Sequence, residues 1–459
     1  MSRKNPSDRK PQAHACNKPL SRRTMIKAAL GAGAAGLLLP NGALPALAQQ
    51  KTLGTFPAGV GGSSVFVGAI CPLTGPYSAS GKDMQRGFEL AVEHLNNGSP
   101  VTEAMPSLKG KKGVLGKKIE FQVADSETKP DTAVQAMTRF IRNNKAIMCT
   151  GGVASSESIA MMKLGQREHV VFMVGNSGSN DTTGKDCQRY GFRAQPSAYM
   201  AAKALAPVLA KQLGSKLKAA YLVPDYTYGT SVYNSMKEFT EKEGWTTVNE
   251  QLAPLGTTDF SSYLLNIANS GADVFVNVAF GADATASTKQ ADGFGILSKM
   301  KYVVPNISQF QAKEITPQVM GGAYGTQAFW WTEEDTYPLA KFFVDEFQKK
   351  NNYKPDWGAS EVYVQLMVWA DAVTRAGSFY PIDVIKALEG GQKVPSIYGD
   401  VYYRAGDHQL VRPVPVMVGK KPSEMKSPDD YFHIVDLVPG EQVLPPLDQT
   451  GCKMPDINT

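Results

Sequence analysis

Cysteine and histidine are scarce in this chain, with five of each among 459 residues. No two cysteines stand as C-x-x-C and no Cys/His spacing fits a zinc site, which argues against a zinc module or a thioredoxin-like motif. H-E-x-x-H and G-x-S-x-G are missing as well. His94, His169, His408 and His433 are scattered, and none forms a recognisable His–Cys or His–Asp arrangement for nucleophilic catalysis. These absences weigh against an enzyme. Net positive charge is lacking outside the N-terminus. Residues 1–48 hold eight Lys/Arg against Asp8 alone, a net +7, whereas the whole chain nets +6 and the remainder therefore −1. No nucleic-acid surface is indicated. The early apolar run, Ala28–Leu39, is too short for the roughly 20 residues of a membrane-spanning helix.

Hydrophobic residues make up 42% of the chain and charged residues 20%, values that allow large buried cores. At about 150 residues per domain, the length suggests two or three domains. The N-terminal basic stretch reads as an export signal. Residues 21–27, SRRTMIK, match the twin-arginine pattern, the apolar run follows, and Ala46-Leu47-Ala48 is a small-x-small cleavage box before Gln49. The expectation is a signal peptide over 1–48, removed near Ala48 after passage through the twin-arginine translocase, and a linker over 49–64. Gly31 to Gly36 fits G-x-G-x-x-G but lies inside the apolar core of this signal with no strand before it, so a dinucleotide site is rejected. Pro76 to Asp83 is a near miss for a phosphate loop, with Asp83 where a magnesium-binding Ser or Thr belongs.

From Val65 onward, strand and helix patterns alternate. Val65–Ile70 is a short apolar strand, Pro72–Gly81 a polar loop, and Met84, Phe88, Ala91, Val92 and Leu95 share one helical face. Ser99–Gly116 reads as a surface loop. Strands at 119–125, 146–149 and 170–174 then alternate with helices at 132–144 and 155–167. The cadence repeats: helices at 197–213, 228–243 and 258–268, and strands at 218–223, 246–252, 273–280 and 301–304. Three more helices follow at 337–350, 360–376 and 381–389, with strands at 397–404 and 411–418. Such alternation predicts parallel sheets with helices on both faces. The fold class is α/β: two doubly wound lobes with loops at the strand carboxyl ends, where ligands bind. Cys71 and Cys149 end apolar strands and read as buried thiols. Cys187 and Cys452 lie in polar loops, and an oxidising compartment favours a disulfide between them.

The stretch PLTGPYSASGKDMQRGFELAVEHLN, residues 72–96, resembles the opening of the periplasmic solute-binding proteins of the branched-chain amino-acid (Leu/Ile/Val) type. The family pattern is P-L-(S/T)-G-P, a small polar loop with Gly, and then R/G-x-x-L-A-V-x-x-(I/L)-N. The resemblance implies a three-crossing hinge, with lobe one over 65–196 and 326–396, lobe two over 197–325 and 397–438, and an extended tail over 439–459. It implies a small-molecule ligand held between the lobes, delivery to an ABC-transporter permease, a periplasmic location and no cofactor. A ligand sensor of the same fold is the alternative, and a periplasmic enzyme a further one.

Two small-residue loops at strand ends, Gly151–Ser156 and Gly175–Asn180, are the first-lobe candidates for the site. The first runs into a helix N-terminus, whose free N–H groups and positive dipole suit a carboxylate. Plain helix capping by serine is the competing explanation. By the resemblance, Ser155 would hold the substrate carboxylate, Ser177 and Ser179 would complete the anchor, and Ser80 would form a wall. Ser156 in the same loop is added. In lobe two, Asp225-Tyr226-Thr227-Tyr228-Gly229 matches the family's D-x-x-Y-G, making Tyr228 the contact, and Phe280 falls where an aromatic is usual. Asn306, just after the strand at 301–304, is a further ligand-binding candidate. The family's amino-acid binders also place an acid in lobe two for the substrate ammonium. Pro305 to Gln309 has none, and Asp283 would serve only if its loop reached the cleft. An unpaired desolvated ammonium is costly. The expected ligand is therefore a carboxylate or amide, amino-acid-like or aromatic.

Overall fold

The computed structural model describes residues 62–457. The expected signal peptide, with its proposed cleavage box and twin-arginine motif, lies outside the described residues.

The first part of the chain forms β1 (Ser64–Cys71), α1 (Ser78–Asn97), α2 (Pro100–Ala104), β2 (Lys118–Asp125), α3 (Pro130–Asn144), β3 (Met148–Gly151), α4 (Ser155–Glu168), β4 (Val171–Val174) and β5 (Gly191–Arg193). Next come α5 (Ala198–Leu213), β6 (Lys218–Pro224), α6 (Thr227–Lys242), β7 (Thr246–Ala253), α7 (Ser261–Ala268), β8 (Val274–Asn277), α8 (Gly281–Gly293) and β9 (Lys301–Asn306). They are followed by α9 (Gln309–Ile315), α10 (Pro317–Met320) and β10 (Tyr324–Thr326). The last part holds α11 (Pro338–Asn351), α12 (Trp357–Ala376), α13 (Pro381–Glu389), β11 (Val394–Ser396), β12 (Gly399–Tyr403), β13 (Leu410–Val411), β14 (Val414–Gly419), β15 (Phe432–Val438) and α14 (Gly440–Val443).

Two sheets organise these elements. The first has the order β2-β1-β3-β4-β5 and is parallel throughout. The second has the order β15-β14-β10-β9-β8-β6-β7, parallel from β7 to β10 and antiparallel at β14 and β15. Strands β3, β4 and β8 are buried along their whole length, because helices cover both faces. The architecture is α/β with two doubly wound lobes. The small sheet β11-β12-β13 stands apart from both, and Arg193 at the end of β5 bridges to Gln409 just before β13.

Local chemistry explains the ends. Ser197 caps α5 by accepting the Met200 N–H at 3.2 Å, and Gly214 stops it with φ +107°. Helix α1 starts at Ser78, earlier than its polar sequence suggests, so Ser80 lies in its first turn rather than in a loop. The expectation of a surface loop over 99–116 is corrected. Ser99 accepts the Thr102 N–H, Pro100 opens α2, and Val101, Met105, Leu108 and Val114 are buried. A Ser-Pro start is a helix signal that charge and glycine nearby obscured. Helix α12 is buried on nearly every side, from Trp357 to Val373, and packs along α1. The joint is polar. Asp83 of α1 accepts the Tyr353 hydroxyl at 2.8 Å and the Ala359 N–H at 2.7 Å, and Asp356 accepts the Ser308 hydroxyl at 2.7 Å and the Gln327 amide. Burial pushes Asp83 up to about 6 and raises Asp356 well above the usual range.

The tail after β15 contains α14 and a single 3-10 turn, then runs to the first lobe. Arg189 Nε donates to the Pro455 carbonyl at 2.9 Å, and Cys187 is joined to Cys452, with Cα atoms 5.6 Å apart. Cys71 and Cys149 are buried free thiols. The bridge spans a sequence separation of 265, so chain entropy alone gives it about 5.6 kcal/mol, and native disulfides typically contribute about 2–5 kcal/mol. Cys452→Ser is expected to lower the denaturant midpoint with a loss in that measured range. Alkylation of both Cys187 and Cys452 in unreduced protein, with an unchanged midpoint, would show that the pair is open.

Candidate functional site

The first wall of the site follows from two glycines. Gly151 and Gly152 turn the chain out of β3 with φ +129° and +81°, values that only glycine adopts easily, and a Cβ on Gly151 would strike the Ile70 carbonyl. Helix α4 begins four residues later. Glu157 reaches back and its Oε1 accepts the Val153 and Ala154 N–H groups at 2.5 and 3.0 Å. Capping is therefore supplied by Glu157, whose carboxyl burial pushes upward, and not by serine. Ser155 is the first helical residue. Its Oγ accepts the Ser179 N–H at 3.2 Å, tying the loop after β3 to the loop after β4. Serine capping of this helix is thus corrected. The first-turn N–H groups at Ser155 and Ser156 have no intrahelical acceptor.

The second loop is shaped from behind by Arg193. This side chain has no exposed surface. It donates to the carbonyls of Ser177, at 3.2 Å, and Ser179, to Thr183 Oγ1 at 2.6 Å and to Gln409 Oε1 at 2.8 Å. Burial lowers its pKa to about 10, so it stays charged at neutral pH. The Ser177 carbonyl and the Gly178 N–H belong to one planar trans peptide and point in opposite directions. The Gly178 N–H therefore faces away from Arg193. Asn176, just before, is 3% exposed, and its side-chain amide has no hydrogen-bond partner on either atom.

The opposite wall comes from the carboxyl ends of β6, β8 and β9. Tyr228, in the first turn of α6, accepts the Asn306 amide on its hydroxyl at 2.6 Å. Its ring lies against Gly178, where a Cβ would come within 3.2 Å of it. Phe280 precedes α8 and packs edge-on against Tyr77 and Trp357, with ring centroids 5.3 Å away in each case. Tyr77 and Tyr226 share a hydrogen bond between hydroxyls at 2.8 Å, and the Tyr226 and Tyr228 centroids are 5.8 Å apart. An aromatic row thus runs from Gly178 through Tyr228, Tyr226 and Tyr77 to Phe280. Burial raises all three tyrosine hydroxyls, so they remain proton donors.

The lobes touch across this row. Ser179 Oγ bonds to Thr227 and Ser231 hydroxyls, at 2.9 Å each, and Asn180 donates to Ser235 at 2.9 Å. The Ala282 N–H at the start of α8 donates to the Pro76 carbonyl at 3.1 Å. Of the residues singled out from sequence, Ser155 and Ser179 meet directly, and so do Tyr228 and Asn306. Ser80 and Phe280 lie together at the far end of the row. Ser177 turns its hydroxyl to Thr182 at 2.6 Å, and Ser156 is half-buried. Asp283 lies near the cleft on α8, but its Oδ2 accepts the Gly256 N–H at 2.8 Å, and burial raises it to about 6. Sequence reasoning missed Arg193, Gln409, Tyr77, Tyr226 and Trp357. An arginine inside the otherwise apolar GFRA segment was the one readable signal.

A family profile described as periplasmic binding protein matches residues 64–423. The chain is 25% identical over 337 residues to a Leu/Ile/Val-binding protein homolog 7 of Brucella abortus, covering 71% of this chain and 81% of that protein. An amino acid ABC transporter substrate-binding protein from Pseudomonas fluorescens superposes with a TM-score of 0.75 at 25% identity, over 85% of this chain and 99% of that one. A solute binding protein of an ABC transporter from Rhodopseudomonas palustris, solved with 3,4-dihydroxybenzoic acid, shares the fold with a TM-score of 0.66 at 20% identity, over 81% and 96%.

The contact between Pro76 and α8 generates an expected outcome. Gly281 has φ +60°, and a Cβ there would lie 2.7 Å from both the Pro76 oxygen and Tyr77 Cδ1 across the cleft. The backbone penalty, about 1–2 kcal/mol, acts whether or not the lobes touch, whereas the clash acts only when they do. Gly281→Ala should weaken binding of any ligand the wild type holds by about ten-fold in calorimetry. Unchanged affinity would mean that this contact does not limit closure.

Proposed function

The chain belongs to the periplasmic binding protein family, and we propose that it captures a small carboxylate- or amide-bearing molecule with an apolar or aromatic body and passes it to an ABC permease. The observation that carries this reading is the pairing of an α4 N-terminus at Ser155 with the Arg193-braced loop at Gly178, opposite Tyr228, Asn306 and Phe280. Free N–H groups and helix dipole at Ser155 and Ser156 offer a carboxylate its anchor. The aromatic row offers the body of the ligand a wall that it can stack on. Lobe two supplies no uncommitted acid at the ends of β8 and β9, since Asp283 is bonded to Gly256. This supports a ligand without a free α-ammonium.

Binding acts by shifting an equilibrium between separated and touching lobes, because the ligand gains contacts to both only when they close. The protein works by capture and release, without turnover. Relatives carrying Leu/Ile/Val-binding and amino-acid substrate-binding names support the transport role.

We further propose export through the twin-arginine translocase, with a mature chain beginning near Gln49. N-terminal sequencing of periplasmic protein tests the cleavage. Replacing Arg22 and Arg23 with Lys should abolish secretion, and unchanged secretion would overturn the twin-arginine route.

The site is tested by Ser155→Ala. Losing a charge-assisted hydrogen bond costs roughly 1.5–3 kcal/mol, ten-fold or more in affinity. The first step is a thermal-shift screen of amino acids, aromatic acids, amides and short carboxylates. Calorimetry with the ligand found should then show weaker binding per folded molecule for Ser155→Ala and for Tyr228→Ala; the ligand-free melting temperature of Ser155→Ala should also fall, because the Ser179 N–H loses its acceptor. Unchanged dissociation constants in both variants would mean that the ligand binds elsewhere.

A further inference from the structure

The chain passes between the two sheets three times: from β5 to α5, from β10 to α11 and α12, which pack with α1, and from β13, beside β5, to β14. Its tail adds a fourth connection, and this one is covalent at both ends. It begins on the second sheet. Strand β15 pairs with β14, and α14 rests on α5, which lies against β9, β10 and β14. Val443 in α14 is buried, and a Cβ on Gly440 would come within 2.3 Å of the Arg412 carbonyl oxygen. The tail ends beside the first sheet. Cys452 is joined to Cys187, Arg189 Nε donates to the Pro455 carbonyl at 2.9 Å and the Tyr190 hydroxyl to the Ile457 carbonyl at 3.4 Å. Cys187, Arg189 and Tyr190 all lead into β5.

The noncovalent hold at that second end is slight. None of residues 448–457 is buried, and after the 3-10 turn at Leu447–Gln449 they form no helix or strand. A hydrogen bond contributes about 1 kcal/mol net, and segments whose bonds are open to water are the first to detach. Were the sulfurs apart, this end would lift away whenever the lobes separated. Joined, they prevent it. Slack in the segment is small. Nine residues, 444–452, lead from the buried Val443 to Cys452. The Pro445 carbonyl is held by Arg404 at 2.8 Å, and a Cβ on Gly406 would strike the Leu447 side chain. Pro445 and Pro446 have fixed φ. Lengthening the segment means breaking the Arg404 bond and drawing out the 3-10 turn.

We propose that residues 444–457 are a strap, latched by the Cys187–Cys452 bridge, that limits how far the two lobes part. Three single-segment passages allow a hinge rotation. A fourth, anchored at a different place on each lobe, restricts it. The range of open states is narrowed, so closing on a ligand gives up less conformational freedom and apparent affinity rises. This rests on the proposed function only in that the lobes part and close, and the effect is the same for any ligand.

One backbone amide far along the cleft reports on the strap. The Ala282 N–H lies in the first turn of α8, where a helix supplies no acceptor, and its bond to the Pro76 carbonyl at 3.1 Å crosses between the lobes. Among the described residues neither Pro76 nor Ala282 bonds to the tail. Amide hydrogen exchange on the mature, ligand-free protein should show the Ala282 N–H exchanging about ten-fold or more faster in Cys452→Ser than in the wild type. It should do so while still exchanging faster than the core amides of β3 and β8, which open only when the fold does. Native protein whose bridge is opened by a phosphine after folding serves if the variant does not fold. An Ala282 rate that is unchanged, or that rises only in step with the core amides, would overturn the strap and leave the proposed function standing. An Ala282 N–H as protected as the core in both proteins would mean that the lobes do not part, and would overturn the capture mechanism and the strap with it.

Discussion

A guanidinium buried without water must be surrounded by acceptors, and much of this molecule is arranged around Arg193. Taking a charge out of solvent is costly unless hydrogen bonds replace hydration. Arg193 finds its partners in two backbone carbonyls of the loop after β4, in Thr183, and in Gln409, which arrives from the other end of the chain. Among the described residues no carboxylate bonds to it directly, although the Asp407, Glu361 and Asp181 charges favour its ionised form. Three things are fixed at once. The loop after β4 is held in one shape, its Gly178 N–H is turned away from the guanidinium, and the late segment near β13 is pinned beside β5. The Ser155–Ser179 bond, the seat of the Tyr228 ring on Gly178 and the interlobe bonds of Ser179 all depend on that shape.

The alternation of strands and helices was legible because each covered strand is a short apolar run and each helix shows its own periodicity. The positions of Ser155, Tyr228 and Phe280 at strand ends were legible for the same reason, and the bridge between Cys187 and Cys452 was legible from two cysteines in polar loops of a chain expected to be exported. What side chains do at those ends was not. Ser155 reads as a helix cap, yet Glu157 takes that role and frees the serine hydroxyl to join two loops. Strand β15, FHIVDLV, carries charge and histidine in an edge position and was not recognised, since an antiparallel edge strand half in water lacks the dense apolar signature. The helix α2 was hidden by flanking lysines and glycines, although its Ser-Pro start was in view. Pairings at long range, such as Arg193 with Gln409 or Tyr77 with Tyr226, leave no trace in local pattern.

Asp83 illustrates how context decides chemistry. In sequence it occupies the place of a magnesium-binding hydroxyl in a failed phosphate loop. In the structure it is a buried acceptor for Tyr353 and Ala359, one helical turn from the cleft wall at Ser80. Its neighbour Asp356 opens α12 and holds Ser308 at the start of α9, after the end of β9. Burial, and after it the Asp83 charge, raises the Asp356 carboxyl. That joint connects the helix pair α1–α12 to α9.

The bridge between Cys187 and Cys452 has a mechanical meaning. The second sheet, both of its helical layers and the late helices that cover the first sheet all lie within the covalent ring it closes, since β6 through β15 fall between the two cysteines. Tension applied at the two ends of the described chain therefore passes through the disulfide and bypasses all of them. Load falls on the few residues after Cys452 and on the stretch before Cys187. Its contour is on the order of 400 Å when fully drawn out. Helices α11 to α13 would lose the sheet they lean on without being pulled themselves. The lobe made of β6 to β10 would remain a sealed loop, out of reach of the force, for as long as the sulfurs stay joined.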